Sequence, residues 1–180
     1  MIQRIQTLWL ALAAVCMALC FAFPVAAYTF ELESTGQTVD ARLDLIGKGG
    51  ADTLQQLAAG EPVVQYAQRL TGMATWPLIT LALCVLLLAV LCIFLYKRRT
   101  TQARLVALAF LVNVGYAFAV FIWAVDKYRD LLMAGLGGVE PRVTWAVGAF
   151  APLASLVLLF LAQRAIRKDE ALVKAADRLR

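Results

Sequence analysis

Cys16 and Cys20 stand four residues apart and share one face of any helix that holds them, which is half of a tetrahedral metal site. No further ligand type lies near them, and the chain has no histidine. The usual imidazole ligand for zinc or haem, and the usual proton shuttle at neutral pH, are therefore missing. Paired carboxylates, the residues of general acid–base chemistry, occur at Glu31/Glu33 and Asp40/Asp44. Each pair alternates with apolar residues, which sets it on the solvent face of a β-ribbon. Lys48-Gly49-Gly50 lacks the strand, spacing and helix of a phosphate loop and reads as a turn. No Ser, Cys or Asp has a base beside it. The expectation is a non-enzymatic chain with no catalytic residues, no metal site and no cofactor.

The remaining polar chemistry sits inside long apolar runs. Asn113 is the most polar residue at the centre of one run, with Tyr116 three positions on and so on nearly the same helix face. Gly148 and Pro152 stand four apart in the last run, where proline can kink or break a helix and glycine permits close approach. Asn113, Tyr116, Gly148 and Pro152 are thus the candidate intramembrane polar or packing site. Two roles compete for Asn113: a hydrogen bond between helices, and a ligand contact in a cavity.

The elements that must position these residues are membrane spans. From Trp76 to Tyr96 the chain reads WPLITLALCVLLLAVLCIFLY, with only Thr80 polar, and stops at Lys97-Arg98-Arg99. As a helix it reaches about 31 Å, the thickness of a bilayer's hydrocarbon core. Three similar runs give predicted spans at about 8–27, 76–96, 105–125 and 143–162. With 62% hydrophobic residues the chain departs from the soluble average. Its net charge of +5 resides in cations beside the apolar runs, which indicates topology rather than nucleic-acid binding. Segments 1–7, 97–104 and 163–180 hold eleven of the seventeen Lys/Arg, in about half as many residues as segments 28–75 and 126–142, which hold six. By the positive-inside rule both termini are expected in the cytoplasm. Val25-Ala26-Ala27 resembles a signal cleavage site, but the first run is long, and Ala14, Ala18 and Ala22 repeat at the spacing of close-packed membrane helices; a retained span is the expectation.

The extracytoplasmic loop 28–75 opens as a hairpin. Tyr28, Phe30 and Leu32 alternate with polar residues, as do Val39, Ala41, Leu43 and Leu45 after Ser34-Thr35-Gly36. Such a ribbon is marginal alone, so its apolar face must rest on span ends or on a partner, and Tyr28, Phe30 and Leu32 form the candidate partner surface. Beyond it are predicted a break at Gly47–Gly50, a short helix from Asp52 to Leu57, and an element over Val63–Leu70. The second outer loop, 126–142, carries a flexible Gly135-Leu136-Gly137-Gly138. The basic link 97–104 and the tail 163–180 are expected in the cytoplasm, and the tail reads as a modestly amphipathic helix with three roles open to it: lying on anionic lipid, docking a cytoplasmic partner, or extending the fourth span as a solvated helix.

The opening MIQRIQTLWLALAA, the FLYKRR closing the second run and the tail IRKDEALVKAADRLR together resemble an uncharacterised family of small four-span bacterial inner-membrane proteins, a domain-of-unknown-function family. The resemblance implies a Gram-negative inner-membrane protein with an uncleaved first span and a variable outer segment. It brings no catalytic residues. The expected fold is an all-α integral membrane protein: a four-transmembrane-helix bundle with a small extracytoplasmic β-hairpin and a cytoplasmic C-terminal helix. The expected function is that of a structural, assembly or accessory subunit, whose partners are the lipid bilayer and other membrane proteins or a second copy. The alternative is a small transporter or a lipid- or small-molecule-binding protein.

Overall fold

The computed structural model describes residues 2–32, 37–46, 75–95, 98–135 and 140–178. In chain order the elements are α1 (Ile2–Ala22), β1 (Ala26–Leu32), β2 (Gln37–Leu43), α2 (Trp76–Phe94), α3 (Arg99–Phe118), a π-helical segment (Ala119–Ala124), α4 (Val125–Gly135), β3 (Arg142–Trp145) and α5 (Val147–Arg178). Four helical stretches among the described residues are long and apolar enough to cross a membrane: Ile5–Ala22, Trp76–Phe94, Thr100–Met133 and Val147–Val173. The expected elements at 47–50, 52–57 and 63–70, and Leu136-Gly137-Gly138, lie outside the described residues.

Three boundaries differ from those expected. The first helix stops at Ala22 rather than at 27. Pro24 has no N–H to continue a helix, and Val25 turns its N–H to Leu43 O (2.8 Å), so Ala26 and Ala27 open a strand. The stretch 126–142, expected as a loop, begins with a helix that follows the π segment directly; Tyr128 and Leu132 are buried on one side of α4, while Asp126, Lys127, Arg129 and Asp130 are exposed. Residues 143–145, expected in the fourth span, join Arg142 of the expected loop in a third strand that pairs with β1, and the helix begins at Val147.

The chain forms two compact units. Unit 1 comprises Met1–Leu19, Thr80–Ala117 and Ala151–Arg180. Nearly all its described residues are helical, and its core is built from small and branched residues such as Ala13, Ala82, Val85, Ala89, Val106, Ala109 and Leu159, which lets helices approach closely. Its outward positions remain apolar, as at Leu87, Leu111 and Val157. An apolar exterior has no favourable interaction with water and is suited to lipid.

Unit 2 comprises Cys20–Ile79 and Phe118–Phe150 and contains the antiparallel sheet, in the order β2-β1-β3. The hairpin register sets Tyr28 opposite Ala41 and Ala26 opposite Leu43, and β3 adds Val143 beside Tyr28. Ala26, Tyr28, Ala41 and Leu43 are buried, while Arg42 is exposed, so the expected alternation appears where it is described.

Candidate functional site

The candidate residues fall in two neighbourhoods, one in each unit. In unit 1, Asn113 lies on α3 with no exposed surface, and its Nδ2 donates to Pro152 O on α5 at 3.2 Å. Pro152 leaves α5 unbroken from Val147 to Arg178. Asn113 Oδ1 and, one turn along α5, Ser155 Oγ are buried without a hydrogen-bond partner among the described residues. Tyr116 is buried one turn beyond Asn113. Two glutamines make the same kind of tie. Gln6 Nε2 on α1 donates to Ala165 O on α5 at 3.3 Å, and Gln102 Nε2 on α3 donates to Cys92 O in the last turn of α2 at 2.9 Å. Cys92 O is one of the terminal carbonyls a helix leaves without an internal partner, so Gln102 caps α2 from the following helix.

In unit 2, the Gly148 N–H donates to Pro24 O at 2.9 Å, and Ala146 N–H to Val25 O at 3.1 Å. A Cβ at Gly148 would lie 2.5 Å from Pro24 O and 2.6 Å from Phe23 O, so only glycine fits. Gly148 O would serve as acceptor for residue 152 in a regular helix; proline supplies no N–H, and the Cys20 thiol makes a long, weak contact there at 3.9 Å. The four-residue candidate site therefore resolves into an Asn113–Pro152 pair with Tyr116 nearby along α3, and a separate Gly148 contact with the end of α1.

Tyr28, the first residue of the candidate partner surface, packs within unit 2 itself. It is fully buried; its hydroxyl donates to Val125 O at the start of α4 (3.0 Å), and its ring packs on Tyr128 with centroids 5.0 Å apart. Tyr128 donates in turn to Arg42 O on β2 at 3.3 Å. The two tyrosines tie sheet and helix reciprocally, and the small residues Ala26 and Ala41 make room for them. Burial pushes the Tyr28 phenol well above its ordinary value, with Tyr128 and Asp126 acting in the same direction and Arg129 against it. The Phe30 and Leu32 side chains lie outside the described residues. On the π segment, Phe121 packs against Trp145 of β3 at 4.9 Å, and Lys127 Nζ sits 5.0 Å from the centre of the Trp123 ring.

This inventory of amides, hydroxyls and one close glycine can bind helices together, orient a sheet and accept further hydrogen bonds at Asn113 and Ser155. Among the described residues no cluster of three or more His, Cys, Asp or Glu is placed to hold a metal ion. A family model, described as a domain of unknown function, DUF4293, matches residues 2–179. The chain belongs to the DUF4293 family. Comparison with curated proteins and with solved structures gives no match. The resemblance read from both ends and the middle of the sequence thus corresponds to a family that covers this DUF4293 chain almost end to end, and whose description assigns no activity.

Sequence reasoning missed Gln6 and Gln102, which look like ordinary polar residues near helix starts, and the tyrosine pair, whose members are a hundred positions apart. For the glutamines a signal existed: each lies within a turn or two of a long apolar run, where an amide is costly unless bonded. For Tyr128 the apolar spacing Val125, Tyr128, Leu132 across a charged segment was the available clue.

Proposed function

We propose that this chain is a multi-pass protein of a bacterial inner membrane, with both termini cytoplasmic, which acts without catalysis as a structural, assembly or accessory subunit. The observation that carries the reading is where buried donors end. Gln6, Gln102, Asn113 and Tyr28 each donate to a backbone carbonyl of the chain itself, so these groups are committed to holding helices and sheet rather than to a substrate. The distribution of Lys and Arg supports the orientation, and the exposed aromatics Trp76, Trp123 and Trp145 of unit 2 are the residue type that sits at a membrane interface. The experiment is native mass spectrometry of the tagged protein extracted gently from its own membrane. A complex of defined mass containing other polypeptides is the expected result. A monomer carrying a stoichiometric small molecule would sink the proposal.

That second outcome belongs to the rival reading, a small transporter or small-molecule-binding protein, which draws on Asn113 Oδ1 and Ser155 Oγ as buried groups open to further bonding. Under it, Ser155→Ala abolishes capture of the small molecule; under the subunit reading it leaves the complex intact.

A further inference from the structure

We infer that unit 1 carries a binding site for an anionic phospholipid, formed by cations on α3 and α5 that cap two outward apolar stripes. On α5 the exposed residues Leu153, Val157 and Phe160 follow one another at helical spacing, and the same face continues into exposed Arg164, Arg167 and Lys168. On α3 the exposed residues Leu111 and Leu108 lead to exposed Arg104 in the same way, and exposed Arg98 lies just before the helix. Each stripe thus runs from apolar surface to guanidinium, the order of acyl chain to phosphate in a phospholipid.

The two stripes end at comparable depth. α3 leaves unit 1 at Ala117 and α5 enters it at Ala151, so the helices run in opposite directions from the Asn113–Pro152 hydrogen bond. Arg104 is nine residues from Asn113, and Arg164 is twelve from Pro152. At 1.5 Å per residue these are about 13 and 18 Å along the two axes, a difference within the reach of an arginine side chain. Gln6 fixes the same level on α1 by bonding to Ala165 O, and Gln102 fixes it on α2 by bonding to Cys92 O. The cations therefore project from a braced end of the helices.

Charge identifies the occupant. Arg98, Arg104, Arg164, Arg167 and Lys168 are all exposed, and none forms an ion pair with a described residue. Arg129 of unit 2 differs, lying 4.0 Å from Asp126 and 3.8 Å from Asp130. Orientation by the positive-inside rule requires only that cations be present near the helix ends. Cations without an ion pair to a described residue, standing where exposed apolar stripes end, are in addition the arrangement that recognises an anionic headgroup at the bilayer surface.

The inference rests on the membrane reading above, and its test separates the two. The protein is reconstituted into nanodiscs of phosphatidylcholine and phosphatidylglycerol in equal amounts, released in the gas phase, and its retained lipids counted by native mass spectrometry. Failure to enter the discs at all would count against the membrane reading. Within discs, wild type is expected to retain phosphatidylglycerol over phosphatidylcholine; the triple substitution R104Q, R164Q and R167Q lowers that retention about tenfold, R164Q alone lowers it partially, and R129Q leaves it unchanged. Equal retention of both lipids by wild type overturns the inference, as does an equal loss with R129Q. Complete displacement of phosphatidylglycerol by glycerol 3-phosphate at matched concentration overturns the lipid assignment and leaves a site for free phosphate.

Discussion

Unit 1 and unit 2 solve the problem of buried polar groups with different residues. Unit 1, helical in nearly all its described residues, uses side-chain amides: Gln6, Gln102 and Asn113 each reach a carbonyl of another helix. Unit 2, part sheet, uses tyrosine hydroxyls and the backbone itself, through Tyr28, Tyr128 and the N–H groups of Val25, Ala146 and Gly148. An amide presents its donor beside a small side chain and suits helices packed through Ala and Gly. A tyrosine carries its donor at the end of a rigid ring, so it can span the larger distance between a sheet and a helix while filling the space with apolar surface. The residue chosen as donor thus follows from the distance between the elements it joins.

The largest effect expected from testing this contrast is at Gly148. The Cβ of Gly148→Ala would meet carbonyl oxygens and a carbonyl carbon of Phe23 and Pro24, all backbone, at 2.5 to 2.9 Å. Backbone cannot rotate away as a side chain can, so α5 must separate from the end of α1 and lose the Gly148–Pro24 hydrogen bond. A destabilisation of about 3 kcal/mol is expected, read as a lower midpoint in detergent unfolding. A wild-type midpoint would show that the close approach is dispensable.

Next in size is Tyr28→Phe, which keeps the ring and removes the donor to Val125 O, at an expected cost of about 1 kcal/mol. This variant also alters the alkaline limb of stability. Burial raises the folded pKa of Tyr28 above its ordinary 10.0, so above that pH the folded chain holds a proton the unfolded chain releases. The stabilisation is complete below about pH 10 and is lost as pH rises beyond it. Wild type is expected to lose unfolding midpoint between pH 10 and 11.5 more steeply than the Phe variant; parallel curves would remove Tyr28 as the responsible group.

Asn113→Leu is expected to cost less, about 0.5 kcal/mol. It removes the bond to Pro152 O, but it also removes Oδ1, which is buried without a partner among the described residues. The two changes oppose each other. A loss larger than that of Tyr28→Phe would reverse the ranking of the two units and would indicate that Oδ1 is engaged by a bound molecule, as the transporter reading requires.

The two units were unequally legible in the sequence. Hydropathy located the four apolar helices because outward-facing and core positions in unit 1 are both apolar, so a run of one character reports a helix without any knowledge of its neighbours. In unit 2 the hairpin was visible through alternation over neighbouring residues, whereas β3 was not: Val143 and Trp145 adjoin the apolar start of α5, and a four-residue strand has too few alternations to separate itself from a helix. Its partner β1 lies more than a hundred residues away, and no local signal encodes such pairing. The end of α1 was misread because Val25-Ala26-Ala27 is apolar in either conformation, although Pro24 marks the change. At the candidate site, polarity in an apolar run singled out Asn113, and glycine and proline singled out Gly148 and Pro152; that Pro152 meets Asn113 while Gly148 meets Pro24 depends on helix register, which composition does not contain.

Gly115 gives the smallest effect and the sharpest contrast with Gly148. Both are helical glycines of the apolar runs, Gly115 two residues from Asn113 and Gly148 four from Pro152. A Cβ at Gly115 meets nothing within 4 Å, and the residue is exposed. Gly115→Ala therefore introduces no clash, and the alanine removes conformational freedom from the unfolded chain and favours the helix, by up to about 0.5 kcal/mol. An unchanged or slightly raised unfolding midpoint is expected, set against the large loss at Gly148. A marked loss at Gly115 would mean that another surface covers this position in the membrane, since nothing within the chain meets the added methyl. The outward face of α3 would then be the first place to seek the partner that the subunit reading requires.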